Sequence, residues 1–103
     1  MRVGWLRADL LLSFSHSLKE KRRPLKSLME RLRSRFHVSV AEVDCQDLHQ
    51  RAVIGVAMVA ADGTALAKQM RAVREFIENN PDCQVLSVRE DGAGWRDEGS
   101  RSD

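Results

Sequence analysis

Apolar and polar residues alternate along the first stretch of the chain, from Arg2 to Ser13. Leu6, Ala8, Leu10 and Leu12 fall on one face of this alternation, and a period of two residues is that of a β-strand. Segments rich in β-branched or apolar residues predict three further strands, at His37 to Val43, Arg51 to Ala60 and Cys83 to Arg89.

A helical period replaces this alternation in two segments. The apolar stripe of the first consists of Leu25, Leu28, Met29, Leu32 and Phe36, and that of the second of Leu66, Met70, Val73 and Ile77. Ser17 followed by Glu20 has the spacing of a capping box. Asp62 or Thr64 can cap the second helix, and Asn79-Asn80-Pro81-Asp82 ends it.

Two residues complicate the start of the first helix. Pro24 would cost about 3 kcal/mol in a helix interior, and a helix running from Leu18 would point Lys21 at the apolar stripe. We therefore expect a turn at Ser17–Lys21 and a regular helix from Arg22 to Arg35. A kinked single helix that begins at Leu18 is the alternative.

The element order is thus β-α-β-β-α-β, which predicts an α+β fold of the ferredoxin-like type. Two crossovers place both helices on one face of a four-stranded antiparallel sheet. We expect a single domain over residues 1–91 and a flexible polar tail over residues 92–103, in which Trp95 is the exception.

The outer face of this sheet is unusually apolar, and Trp5, Leu11, Val53 and Val59 lie on it. An apolar surface of this kind indicates an interface. We therefore expect a homo-oligomer that forms through the sheet; coverage of the face by the tail, through Trp95, is the alternative.

Positive charge is concentrated in the first helix. Eight lysines and arginines lie between His16 and Phe36 against two glutamates, whereas the whole chain has a net charge of only +2. An RNA- or anion-binding surface is the hypothesis that this asymmetry supports, and its residues are Lys19, Arg22, Arg23, Lys26 and Arg33. The alternative is a solvated helix face.

No residue pattern predicts catalysis, so we expect no catalytic residue, metal, cofactor or small-molecule substrate. Asp44, Cys45, Asp47 and His49 share one connection, but DCQDLHQ matches no zinc or calcium spacing. His16 stands at the helix start, as a phosphate ligand or as a local packing residue. Two distant cysteines and the absence of a secretion signal or a membrane-spanning apolar run predict a cytoplasmic protein with free thiols.

Two segments, SHSLKEKRRPLKSLMERLRSRF and VSVAEVDCQDLHQRAVIGVAMV, resemble the signature regions of the YlxP-like family, small bacterial proteins that share a domain of unknown function. The resemblance covers roughly Met1 to Glu90, and its matching positions are Ser15 to Arg23 and Val40 to Arg51. It implies a ferredoxin-like fold and a link to translation, through genes that neighbour those for initiation and ribosome-maturation factors. It implies no functional residue. Pro24 replaces an aliphatic residue and His49 an aromatic one in the family pattern.

The leading interpretation is therefore a non-enzymatic RNA- or ribosome-associated binding module that acts through the basic first helix. A homo-oligomeric protein-interaction module without a role in nucleic-acid binding is the second interpretation.

Overall fold

The computed structural model describes residues 1–92, and the predicted element order is confirmed. The elements are β1 (Arg2–Leu11), α1 (Leu18–Phe36), β2 (Ser39–Asp44), β3 (Arg51–Ala60), α2 (Gly63–Glu78) and β4 (Gln84–Asp91). Most of the predicted tail, including Trp95, lies outside the described residues.

The four strands form one antiparallel sheet in the order β2-β3-β1-β4, with β1 and β3 at its centre. Leu6 faces Val56 and Ala8 faces Ile54 across the central pair, and all four are buried against the helices. The helical stripes complete the same core with Leu25, Leu28, Leu32, Leu66, Met70, Val73 and Ile77. This is the predicted ferredoxin-like layout.

The start of α1 differs from the expectation. The helix begins at Leu18 rather than Arg22, and Pro24 lies inside it, so the single-helix alternative is correct. Ser17 is the N-cap, and its Oγ accepts the Glu20 N–H at 3.1 Å. Proline has no N–H to donate to the carbonyl four residues earlier, yet the cap and a buried partner for Lys21 hold this first turn in helical form.

Asp62 is the N-cap of α2, and its Oδ1 accepts the Ala65 N–H at 2.8 Å. This settles the choice between Asp62 and Thr64 that the sequence left open. Neither of the two helices in the described part of the chain is long and apolar enough to cross a membrane.

Candidate nucleic-acid interface

Four cations share one exposed face in the N-terminal half of α1. Lys19, Arg22, Arg23 and Lys26 follow the spacing i, i+3, i+4 and i+7, which places their side chains on the same side of a helix. None of the four has a hydrogen-bond or ion-pair partner among residues 1–92. We call this set the cationic face.

The remaining arginines of α1 are held by the fold. Arg33 belongs to the predicted set, but its Nη2 donates a 2.7 Å hydrogen bond to the Val40 carbonyl at the start of β2. Arg35 lies over the rings of Phe36 and Phe76, at 5.7 and 5.5 Å from their centroids. Arg31 also lies over Phe76. These arginines therefore contact other parts of the fold, whereas the cations of α1 that have no hydrogen bond, ion pair or ring contact within residues 1–92 lie in the N-terminal half.

Lys21 is a different kind of cation, because only 3% of it is exposed. Its Nζ donates to Glu42 Oε2 at 2.8 Å, to the Cys45 carbonyl at 3.1 Å and to the Arg51 carbonyl at 3.2 Å. A buried ammonium is tolerated only with such a set of acceptors. Lys21 therefore fastens the first turn of α1 to the connection between β2 and β3.

Gln50 makes a second link between the same two segments. Its side-chain Nε2 donates to the carbonyls of Ser13 and Ser15 at 3.3 and 3.2 Å. The backbone carbonyl of Gln50 accepts the Leu12 N–H at 2.8 Å. Ser15 is fully buried, and its hydroxyl donates to the Ser17 carbonyl at 3.0 Å. The turn that leads into α1 is thus held by hydrogen bonds from the Gln50 side chain and within the turn itself.

Open depressions lie on both flanks of the cationic face. One has a volume of about 880 Å³, and its lining includes Phe14, Lys19, Arg23 and Asp82. The other has a volume of about 310 Å³, and its lining includes Arg22, Lys26 and Glu42. The face therefore forms a ridge between two concave surfaces.

The family to which the chain belongs follows from its sequence. The family described as "Protein of unknown function (DUF503)" matches residues 3–90. The chain is a member of this family. It is also 32% identical over 87 residues to the uncharacterized protein YlxP of Bacillus subtilis (strain 168), an alignment that covers 84% of this chain and 95% of that protein.

The family membership confirms the resemblance seen in the sequence, and the structure gives its motifs a physical role. Ser15 to Arg23 and Val40 to Arg51 meet in space, because Lys21 and Gln50 join them. The motif residues Lys21 and Gln50 thus hold the first turn of α1, and the turn before it, against the segment between β2 and β3.

Lys21 and its partners are the site residues that sequence reasoning missed. The signal was present, because Lys21 precedes Leu25 and Leu28 at helical spacing on the buried stripe. Glu42 lies two residues after the buried Val40 on β2, so both side chains face the helices. A lysine on the buried face of α1 and a glutamate on the buried face of β2 together would have predicted the Lys21–Glu42 ion pair.

Side chains of the protein itself accept backbone N–H groups at the start of α1. The Glu20 carboxylate accepts the His16 N–H at 2.6 Å, and Ser17 accepts the Glu20 N–H. The position that a phosphate would take at these amides is therefore filled by the chain itself, which favours a local role for the His16 backbone.

The polar connection between β2 and β3 does not bring three potential metal ligands together. Cys45 has a left-handed backbone with φ of 60°, and its N–H donates to Asp44 Oδ1 at 2.8 Å. Asp44 also pairs with Arg7 at 3.3 Å. Within residues 1–92, no three histidine, cysteine, aspartate or glutamate side chains are grouped to hold a metal ion.

The outer face of the sheet divides into two regions. Trp5 and Val59, at 44% and 61% exposure, lie at one end on the adjacent strands β1 and β3. Leu11 lies at the other end and is half-buried. Val53 is on this face too, opposite Asp9 in the strand register, but it is only 2% exposed.

Ion pairs explain the burial of Val53. Arg51 donates two hydrogen bonds to Asp9 Oδ1 and one to Oδ2 at 2.6 Å, and the Arg7–Asp44 pair lies on the other side, since Asp9 and Asp44 both face Val53 across the sheet. The hydrogen bonds and charge of Asp9 raise the pKa of Arg51 above its ordinary value. Of the four residues predicted for the interface, Trp5 and Val59 are therefore the most accessible.

Proposed function

We propose that this chain is a cytoplasmic, non-enzymatic RNA- or ribosome-associated protein that contacts phosphate groups through the cationic face of α1. The observation that carries the proposal is the lack of any internal partner for Lys19, Arg22, Arg23 and Lys26 within the described residues. Like charges at these spacings repel one another. Folding therefore supplies no reason for their grouping, whereas a polyanion would.

The geometry of the face suits an extended polyanion. From Lys19 to Lys26 the helix rises by about 10 Å, so one backbone can pass all four side chains. Two of them are arginines, whose planar guanidinium groups bind phosphate oxygens in pairs. The rest of the chain is net negative, which favours an approach of RNA to this surface alone.

Salt-dependent RNA binding tests the proposal. Arg22→Glu with Lys26→Glu should weaken binding to ribosomal RNA fragments at low salt, because phosphate contacts and their released counterions are lost. The slope of log affinity against log salt should flatten by roughly 0.7–0.9 for each lost contact. Titration of labelled fragments at several salt concentrations measures both effects.

The matched control is Lys68→Glu with Arg71→Glu. These residues are exposed on α2, and the control changes the net charge by the same amount. Equal loss of affinity in the two double variants would show that total charge, and not the cationic face, governs binding. Absence of binding by the wild-type protein at low salt would refute the proposal.

An interaction module that assembles through the sheet is the second candidate function. The exposed Trp5 and Val59 are diagonal neighbours on the central strands, since Trp5 lies opposite Ala57, and they favour this function. In the absence of RNA binding, a light-scattering dimer that Val59→Glu converts to monomers would establish this alternative. Val53→Lys is unsuitable for that test, because a charge at this buried position would report on folding.

A further inference from the structure

The larger depression beside the cationic face contains an exposed aromatic ring that the phosphate proposal does not use. Phe14 is 51% exposed, and it lines the depression of about 880 Å³ together with Lys19, Arg23 and Asp82. A large apolar ring in contact with water contributes little to the fold. Beside two unpaired cations, it forms a surface with an aromatic part and a positive part.

The turn that carries Phe14 is rigidly held. The Ser15 N–H donates to the Leu12 carbonyl at 3.0 Å across the turn, and Gln50 binds the carbonyls of Ser13 and Ser15 on either side of Phe14. The ring is therefore presented by an ordered backbone. A binding group that is already ordered loses little entropy when its ligand arrives.

The charges around the depression orient a ligand. Lys19 and Arg23 lie on the α1 side and have no internal partner in the described part of the chain. Asp82, which lies outside α1, also lines the depression, and its carboxylate repels phosphate. Glu20 lines the α1 side as well and accepts the His16 N–H, so that side has two cations against one carboxylate. A phosphate is therefore drawn to the α1 side, and the group attached to it points toward Phe14.

We infer that this depression binds an unpaired nucleobase of single-stranded RNA, which stacks on Phe14 while its phosphate contacts Lys19 and Arg23. Stacking on an exposed aromatic ring beside cations is how single-stranded nucleic acid is held without a sequence code. A duplex keeps its base faces covered and cannot use the ring. The inference rests on the proposed function and adds to it the class of RNA.

The test compares three RNAs with equal numbers of phosphates: single-stranded oligocytidylate, a duplex, and a single strand of abasic nucleotides. Phe14→Leu should weaken binding of oligocytidylate by roughly 5-fold or more, because one stacked base contributes about 1–3 kcal/mol. Binding of the duplex and of the abasic strand should stay unchanged. Trp5→Leu removes an exposed aromatic residue from the opposite face of the sheet, and it should change none of the three affinities.

The outcomes separate this inference from the proposed function. Salt-dependent binding that Phe14→Leu leaves unchanged, or wild-type preference for the duplex, would overturn the stacking site alone. Absence of binding to any of the three RNAs would overturn both. Because Phe14 lies exposed on a turn, thermal unfolding should be the same for Phe14→Leu and wild type, and this measurement verifies that the variant is folded.

Discussion

Both halves of α1 are positively charged, but their cations make different contacts. In the C-terminal half, Arg33 binds a β2 carbonyl, and Arg31 and Arg35 lie over aromatic rings. Cations there also favour the negative end of the helix dipole. In the N-terminal half the cationic face lacks internal partners within residues 1–92, and Lys19 lies in the first turn, where a positive charge is unfavourable.

The net charge of a segment therefore does not measure the charge that is available to a ligand. Some of the cations of α1 make contacts within the fold, and the four residues of the cationic face make none within residues 1–92. Lys21 shows the extreme case, since it lies between Lys19 and Arg22 in the sequence yet is buried with Glu42. Substitution of three single cations of α1 tests this difference between its two halves.

The largest effect is expected at Lys21. Lys21→Met leaves the Glu42 carboxylate without its ammonium partner and removes the hydrogen bonds that Nζ donates to the carbonyls of Cys45 and Arg51. Loss of one partner of a buried ion pair costs about 3–5 kcal/mol. Since Glu42 keeps some solvent contact, we expect the lower end of that range. Chemical denaturation measures the free energy of unfolding.

Lys26→Met is the control for this experiment, because it removes an exposed cation from the same helix and should change stability by no more than about 0.5 kcal/mol. Adding Glu42→Gln to Lys21→Met should recover part of the loss, since the unpaired buried charge is then removed. Similar stabilities for the two methionine variants would contradict the division between structural and free cations.

The sequence was sufficient for the fold and for the four cations of the cationic face. The alternating and helical periods predicted the six elements, and the Ser17–Glu20 spacing predicted the cap, because both signals are local. The cationic face was also predicted, apart from the engagement of Arg33 with Val40. That hydrogen bond depends on where β2 begins after the helix.

Long-range pairings account for what the sequence did not predict. A lysine on the buried stripe indicated a late helix start because no partner for Lys21 was apparent in the sequence. Its partner, Glu42, lies 21 residues away in the chain. Val53 was assigned to an exposed apolar face, but Asp9 and Asp44 face it from both neighbouring strands. Strand register determines these contacts, and a single sequence does not specify register.

A smaller effect is expected at the C-terminal end of α1. Arg35→Glu removes the contacts with the Phe36 and Phe76 rings and reverses a favourable interaction with the helix dipole. Each of these terms is worth about 0.5–1 kcal/mol at an exposed site, so stability should fall by about 1–2 kcal/mol. Arg35→Gln should lose less, because it introduces no negative charge. An unchanged free energy of unfolding would remove the structural role assigned to this arginine.

The smallest effect, with the opposite sign, is expected at Lys19. Lys19→Glu places a negative charge in the first turn of α1, beside the positive end of the dipole, and should raise stability by about 0.3–1 kcal/mol at low salt. The gain should shrink as salt is added, since exposed charges are screened. The same substitution should weaken RNA binding, because Lys19 belongs to the cationic face. A gain in stability joined to a loss of RNA affinity would show that Lys19 contributes to binding at a cost in stability. A loss of stability in Lys19→Glu would instead show that the N-terminal half of α1 uses its cations as the C-terminal half does.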